Sequence, residues 1–251
     1  MSTWVLLRGL TREAAHWGSF VQQMAQVEPG ARVITLDLPG AGAARGQPAP
    51  LQVQAMAEHC RGALRAAGAE PPYRLLGLSL GGMVASCWAL RHPEEVSHCV
   101  LVNSSMRPLG RLHERLRPGC WPVLLQVLFG RDALAAEQRV LQWTSAQPAA
   151  HREVLAEWMR IRRERPVTRL DALRQLLAAA RYRLPPGRPR ARVLVLASAG
   201  DRLVNPVCSQ RLAAQWGSSF ALHPQAGHDL PLDAGDWVCE RIGEWLATGP
   251  V

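Results

Sequence analysis

A serine lies between two glycines at the point where an apolar segment gives way to a helical pattern. The residues are Gly77-Leu78-Ser79-Leu80-Gly81, a G-x-S-x-G sequence. A sharp strand-to-helix turn of this kind exposes the serine hydroxyl at the top of a sheet, and side chains in place of the glycines would collide with neighbouring elements. The alternative is a glycine-rich turn with an incidental serine. The coincidence of strand, turn and helix favours Ser79 as a nucleophile.

A serine hydroxyl is a poor nucleophile at neutral pH, so it needs a base, and a histidine base needs a partner that fixes its tautomer. Asp201 follows an apolar segment typical of a central strand, and His228 precedes the closing helix. Either residue alone is more typical of a solvated loop. Their order after the serine and their positions after strands predict Asp201 as the orienting acid and His228 as the general base.

The other acidic and imidazole side chains fit these roles less well. Three aspartates lie too near His228 in sequence for an easy approach to its far ring nitrogen: Asp229, Asp233 and Asp236. Asp37 is expected to stabilise the turn after its own strand. Four histidines are predicted to be structural or on the surface: His16, His92, His98 and His223.

A tetrahedral intermediate needs two fixed hydrogen-bond donors for its oxyanion. These are normally the N–H after the nucleophile and an N–H from the loop after an early strand. Here the backbone N–H groups of Leu80 and Leu10 are predicted to serve. The alternative for Leu10 is a purely structural core position.

Short apolar runs alternate with helical patterns through residues 3–102, which predicts βαβ units and a parallel sheet covered on both faces. Helices are expected at 14–26 and 234–246, among others. Residues 106–183 read as successive helical segments without a strand, and the strand pattern resumes at 192. The prediction is an α/β fold with a mostly parallel central sheet and helices on both faces. Its core comprises 1–105 and 184–251, and 106–183 form an inserted helical cap.

The 251 residues carry a formal net charge of +9, and all 29 basic residues are arginine. The length is that of one α/β domain. Arginine in place of lysine can reflect composition alone, and an arginine-rich surface can also attract nucleic acid, anionic lipid or an acidic carrier. The compositional interpretation is favoured, because the predicted chemistry needs no nucleic acid.

Neither a metal site nor a cofactor is predicted. The six cysteines show no CxxC or Cys/His cluster, and most are expected to be reduced and buried. The first ten residues lack the basic segment and cleavage site of a signal peptide. No apolar stretch reaches the about 18 residues that a membrane span requires. A cytoplasmic location is therefore expected.

Several motifs together resemble the α/β-hydrolase superfamily, specifically its small capped serine esterases, over nearly the whole chain apart from the cap. The likeness rests on these segments: Arg8-Gly9-Leu10, Asp37-Leu38-Pro39-Gly40-Ala41-Gly42, the Ser79 turn, Gly200-Asp201 and Gly227-His228. Arg8 stands where the family often has histidine, so the support of the oxyanion loop must differ. The cap matches no substrate-specific pattern.

This resemblance implies hydrolysis of small or medium carboxylic esters through an acyl-enzyme, and it excludes relatives whose nucleophile is aspartate. The same three residues would also serve a thioesterase, an amidase, a C–C hydrolase or an acyltransferase. A ligand receptor that keeps the fold without turnover is the alternative from a different class. Sequence alone does not separate these activities.

The predicted cap contains candidates for the substrate site and for a partner site. Trp121, Leu125, Trp143 and Trp158 are predicted to cover an apolar acyl group, with plain core packing as the alternative. Residues 106–190 hold 17 arginines against 7 acidic residues, a net charge of +10. Four of these arginines crowd into six positions: Arg160, Arg162, Arg163 and Arg165. They form either a solvated surface or a docking site for an acidic carrier or a CoA thioester.

Overall fold

The computed structural model describes residues 2–249 and is built on a six-stranded sheet. The strands are β1 (Thr3–Leu7), β2 (Arg32–Leu36), β3 (Tyr73–Leu78), β4 (Val96–Val102), β5 (Arg192–Ser198) and β6 (Ser219–His223). All neighbouring strands are parallel, in the order β2-β1-β3-β4-β5-β6. The predicted α/β fold class is confirmed.

Ten α-helices connect and cover the strands in the described part of the chain. They are α1 (Phe20–Val27), α2 (Val53–Ala66), α3 (Leu80–Arg91), α4 (Leu112–Arg115), α5 (Trp121–Phe129), α6 (Ala133–Thr144), α7 (Arg152–Glu164), α8 (Arg169–Arg181), α9 (Val207–Trp216) and α10 (Leu230–Ala247). Among residues 2–249, no helix is both long enough and apolar enough to cross a membrane.

Both faces of the four central strands, β1, β3, β4 and β5, are largely buried, which explains their nearly continuous apolar sequences. Along β1, Val5 and Leu7 pack into the core beneath α2, α3 and α9, whereas Trp4 and Leu6 pack into the core beneath α1 and α10. This alternation follows from the two-residue period of a strand. All six cysteines are free, and all except the half-buried Cys239 are buried.

The strand order reverses between β1 and β3, because the chain passes from β1 to β2 on one side and then returns to β3 on the other. In open parallel sheets, ligands bind at the carboxyl ends of the strands beside such a reversal. The segment after β1 contains Leu10, and the residue after β3 is Ser79. The topology therefore places the predicted oxyanion loop next to the predicted nucleophile.

Helices α4 to α8 all lie between β4 and β5. The two ends of this segment meet at a bridge between Arg107 and Arg183. There the Arg107 N–H donates to Tyr182 O at 3.2 Å, and the Leu184 N–H donates to Arg107 O at 2.7 Å. The division of the chain into a core and a cap at 106–183 stays a prediction.

Two helices differ from the boundaries predicted from sequence. The segment 14–26 is a short 3₁₀ turn at Ala14–Trp17 and then α1, separated at Gly18, whose φ is +52°. Helix α10 begins at Leu230, earlier than predicted, and has an irregular backbone at Ala234 with φ −151° and ψ 50°. Periodicity detects the apolar face of a helix but not a local backbone break.

Candidate active site

Ser79 occupies the turn between β3 and α3 with φ +56° and ψ −115°, a backbone conformation that non-glycine residues rarely adopt. Its N–H donates to Val102 O on β4 at 2.9 Å, which holds the turn against the sheet. A Cβ on Gly81 would collide with the Leu7 carbonyl, and one on Gly77 would collide with the backbone of Gly81. These collisions explain why glycines flank the serine.

Both predicted oxyanion donors lie beside Ser79. A Cβ on Gly9 would lie 3.2 Å from Ser79 Cβ and 3.8 Å from Ser79 Oγ, so the loop after β1 runs against the serine. Leu80 is the first residue of α3, where backbone N–H groups lack partners within the helix. Within residues 2–249, neither the Leu10 N–H nor the Leu80 N–H donates to another group. Their catalytic role stays a prediction.

Asp201 and His228 form a buried pair although 27 residues separate them. The distance between His228 Nδ1 and Asp201 Oδ2 is 2.7 Å. Asp201 Oδ1 accepts the N–H groups of Leu203 at 2.7 Å and Val204 at 2.9 Å, which fixes the carboxylate. Burial alone would lower the pKa of His228, but the charge and hydrogen bond of Asp201 raise that pKa overall. The pairing orients the ring as a general base requires.

Ser79 and His228 both line one cavity of about 200 Å³. In the described part of the chain no hydrogen bond joins the Ser79 hydroxyl to His228. Catalytic hydrogen bonds are often long in unliganded enzymes and shorten when substrate binds. The structure thus pairs the acid with the base and brings the serine to the same cavity, while the three catalytic roles stay predictions.

Of the four residues predicted to cover an acyl group, the structure brings only Trp143 to this cavity. Trp121 and Leu125 are 48% and 57% exposed and lie outside it, and Trp158, on the buried face of α7, lines a different cavity. Three other residues of α5 line the cavity: Val123, Leu124 and Val127. Spacings of three and four residues select one helix face, so Trp121 and Leu125 lie on the other.

A buried ion pair that the sequence did not predict connects the loop after β1 to the loop that contains His228. Arg8 Nη1 donates to Asp229 Oδ1 at 3.1 Å, and Arg8 Nη2 donates to Asp229 Oδ2 at 2.6 Å. The side chains are only 3% and 6% exposed, and the guanidinium lies 4.7 Å from the ring centroid of Trp17. The replacement of the family's histidine by Arg8 was the available signal.

The charge of Arg8 also changes the titration of its partner. Burial would raise the pKa of Asp229, but Arg8 lowers that pKa below its ordinary value. The carboxylate of Asp229 therefore stays ionised beside the cavity. This pairing explains why Asp229, although adjacent to His228, does not take the place of Asp201.

Most of the predicted arginine cluster is neutralised within the chain. Arg160 pairs with Glu157 and Glu164, as the sequence allowed. Two other members find partners from elsewhere: Arg162 with Glu137 at 2.9 Å and Arg165 with Glu13 at 2.6 Å. Within the described residues, Arg163 alone of the four has no carboxylate within 4.0 Å. The cluster therefore presents less free charge than its sequence suggested.

One group of potential metal ligands lies away from the cavity, at His92, Glu94 and Glu95. Arg61 and the Trp88 indole already bond to the Glu95 carboxylate, with Arg61 Nη2 at 2.6 Å and Trp88 Nε1 at 2.9 Å. These contacts identify Glu95 as the partner of an arginine rather than as a free ligand.

Comparison with known proteins identifies the family of the chain. A family model described as the alpha/beta hydrolase fold matches residues 5–235. A protein of Klebsiella pneumoniae provisionally named carbamate hydrolase RutD is 30% identical, over 97% of this chain and 91% of its own. The pimeloyl-[acyl-carrier protein] methyl ester esterase of Pectobacterium atrosepticum is 31% identical, over 95% of this chain and 91% of its own.

Among solved structures, an esterase of Thermogutta terrifontis superposes with a TM-score of 0.76 at 22% identity. The superposition covers 99% of this chain and 90% of that one, so it supports the fold. The family match spans the sheet, the Ser79 turn and the histidine loop. The chain belongs to the α/β-hydrolase fold family and is a hydrolytic enzyme.

Proposed function

We propose that the protein is a serine esterase that cleaves small or medium carboxylic esters through an acyl-enzyme. The observation that carries the proposal is the 2.7 Å hydrogen bond that His228 Nδ1 makes to Asp201 Oδ2, at a cavity that Ser79 and His228 both line. A paired acid and base beside a serine on a strained turn are the groups that acyl transfer requires. The esterase names among the relatives are consistent with this activity.

In the proposed reaction, Ser79 Oγ attacks the ester carbonyl carbon while His228 Nε2 takes the hydroxyl proton. Asp201 holds the Nδ1–H side of the ring and stabilises the imidazolium. The N–H groups of Leu80 and Leu10 bond to the oxyanion. When the tetrahedral intermediate collapses, His228 returns the proton to the leaving alkoxide. Water then attacks the acyl-enzyme by the same steps, which releases the acid and restores the Ser79 hydroxyl.

The cavity lining favours an apolar group next to the scissile bond. Leu124 and Val127 from α5, Val140 and Trp143 from α6, and Leu176 from α8 all line it. Apolar surface of this kind stabilises alkyl groups in proportion to the area removed from water. A volume of about 200 Å³ suits a short or medium chain better than a long one.

The test is the loss of activity and of covalent labelling in one variant. Ser79→Ala should abolish hydrolysis of p-nitrophenyl esters and labelling by a fluorophosphonate while leaving the circular dichroism spectrum unchanged. Ser97→Ala is the matched control, because Ser97 lies on β4 and outside the cavity lining. Retained activity in pure Ser79→Ala protein would reject the assignment. A folded wild type that takes up no probe would instead indicate a receptor without turnover.

The same chemistry would also cleave thioesters, amides, lactones, carbamates or C–C bonds, or transfer the acyl group to another acceptor. A panel of these substrates with graded acyl length, run on wild type and Ser79→Ala, separates the activities. We expect the highest kcat/KM for the ester members. A carbamate preference would instead match the name of the Klebsiella relative.

A carrier-linked ester is a second candidate, favoured by the relative whose name specifies an acyl-carrier protein. Arg152 and Arg163 on α7 are exposed and have no carboxylate within 4.0 Å in the described chain. If a carrier docks there, changing both residues to Glu should lower kcat/KM for the carrier-linked ester but not for the free ester. High salt should act likewise, because it shortens the screening length to about 3 Å at 1 M. Arg45→Glu, at an exposed site outside 106–183, is the control. Equal effects on both substrates would exclude docking.

A further inference from the structure

Three arginines line the cavity beside Ser79, and they differ in their partners. Arg8 is paired with Asp229, and Arg12 is paired with Glu137 at 2.8 Å. Arg115, the third, has no carboxylate within 4.0 Å anywhere in residues 2–249. The cavity therefore contains one arginine whose charge the chain does not neutralise.

Arg115 is also deeply buried, with 8% of its surface exposed. Its Nη1 donates to Ala180 O at 3.0 Å and its Nη2 donates to Ala179 O at 2.6 Å, both near the carboxyl end of α8. Its Nε–H is buried and has no hydrogen-bond partner. Burial, with no carboxylate nearby to oppose it, lowers the pKa of Arg115.

The helix end satisfies Arg115 only in part. Carbonyl groups at a helix C-terminus carry a partial negative charge, equivalent to about half an electron, so they leave part of the guanidinium charge without a counter-ion. A buried charge without a full partner is costly, and a buried N–H without an acceptor adds to that cost. The apolar walls around it strengthen attraction to any anion that enters. A guanidinium binds a planar carboxylate through charge-assisted hydrogen bonds that are often forked.

We propose that Arg115 binds a carboxylate of the substrate, so that the preferred ester carries a free carboxylate in addition to the scissile bond. This inference rests on the proposed esterase function and specifies its substrate class. The carboxylate can belong to the acyl part, as in the half-ester of a dicarboxylic acid. It can also belong to the alcohol part, as in an acylated hydroxy acid. Arg115 then determines specificity and does not take part in bond cleavage.

Two pairs of esters matched in length test the proposal and distinguish the two sources. Monomethyl glutarate is compared with methyl pentanoate, and 4-acetoxybutyrate with butyl acetate. In one of the pairs, wild type should prefer the anionic ester about 10- to 100-fold in kcat/KM, the usual effect of a hydrogen-bonded charged group. Arg115→Met should remove that preference by lowering kcat/KM far more for the anionic ester than for the neutral one, whereas Arg115→Lys should keep part of the preference.

Arg139→Met is the matched control, because this substitution removes the same charge at an exposed position of α6 outside the cavity lining. It should leave the preference intact. No preference in either pair for wild type would overturn the proposal. Equal losses for anionic and neutral esters in Arg115→Met would show that Arg115 only caps α8.

A measurement of binding affinity does not depend on turnover, so it tests the carboxylate site independently of the proposed esterase function. Calorimetry on Ser79→Ala should detect tighter binding of the anionic ester than of its neutral match. Equal affinities would reject the carboxylate site even if wild type is an esterase. Tighter binding of the anionic ester by Ser79→Ala, together with no turnover of any ester by the wild type, would support the site and reject the esterase.

Discussion

Removing Arg8 should destabilise the protein far more than the loss of an ordinary surface ion pair. Arg8 and Asp229 are 3% and 6% exposed and share two hydrogen bonds of 3.1 and 2.6 Å. Breaking a buried pair from one side leaves the other charge without a counter-ion, which costs about 3–5 kcal/mol. For a chain of this length each kcal/mol lowers Tm by about 2–4 °C, so Arg8→Met should lower Tm by about 6–20 °C.

The double variant tests whether this penalty comes from the isolated charge. In Arg8→Met with Asp229→Leu neither charge of the pair remains, so the free energy of unfolding should recover most of the loss, because apolar replacements of buried pairs are often neutral. Urea unfolding of the wild type, both single variants and the double variant gives the coupling energy. Additive losses in the double variant would refute the reasoning.

An ion pair at the surface provides the control. Arg241 pairs with Glu244 at the surface, so Arg241→Met should lower the free energy of unfolding by less than about 1 kcal/mol.

The stabilisation by Arg8 and Asp229 should depend on pH. Because the pKa of Asp229 is lower in the folded than in the unfolded protein, this pair stabilises the fold at pH values above the ordinary carboxyl pKa of 3.8. That stabilisation is lost as the pH falls through the folded-state pKa. Asp229→Leu with Arg8→Met should reduce this loss in acid.

Three further predictions concern the turn, the base and the cavity. Gly81→Ala should prevent folding or lower Tm strongly, measured by thermal unfolding, because its Cβ would collide with the backbone at the end of β1. Since the pKa of His228 is raised above 6.5 and the proposed base must be neutral to take a proton, kcat/KM should fall as the pH drops through that raised value. In Asp201→Asn this limb should move to lower pH, with a loss in kcat of about 10⁴-fold; an unchanged profile would contradict the assignment. Trp143→Ala should raise KM relative to wild type, and by a larger factor for longer acyl chains. Trp121 lies outside the cavity, so Trp121→Ala should leave KM unchanged at every chain length.

Much of this molecule follows from local sequence. The alternation of apolar runs and helical patterns specifies the strands, because side-chain periodicity is a property of a few consecutive residues. The turn at Ser79 is equally local, since its glycines are required by the backbone immediately around it. The order of Ser79, Asp201 and His228 along the chain was enough to predict that the last two meet, because the carboxyl ends of parallel strands lie at one edge of the sheet.

Other features depend on contacts between distant segments. The partner of Arg8 is 221 positions away, and no periodicity indicates which of several acidic residues an arginine will reach. The same holds for Arg162 and Arg165, whose glutamates come from other helices and loops. The apolar character of α5 was evident from sequence, but the face that lines the cavity was decided by how the helix packs against its neighbours. Pairing and packing depend on distances in three dimensions, which only the folded chain defines.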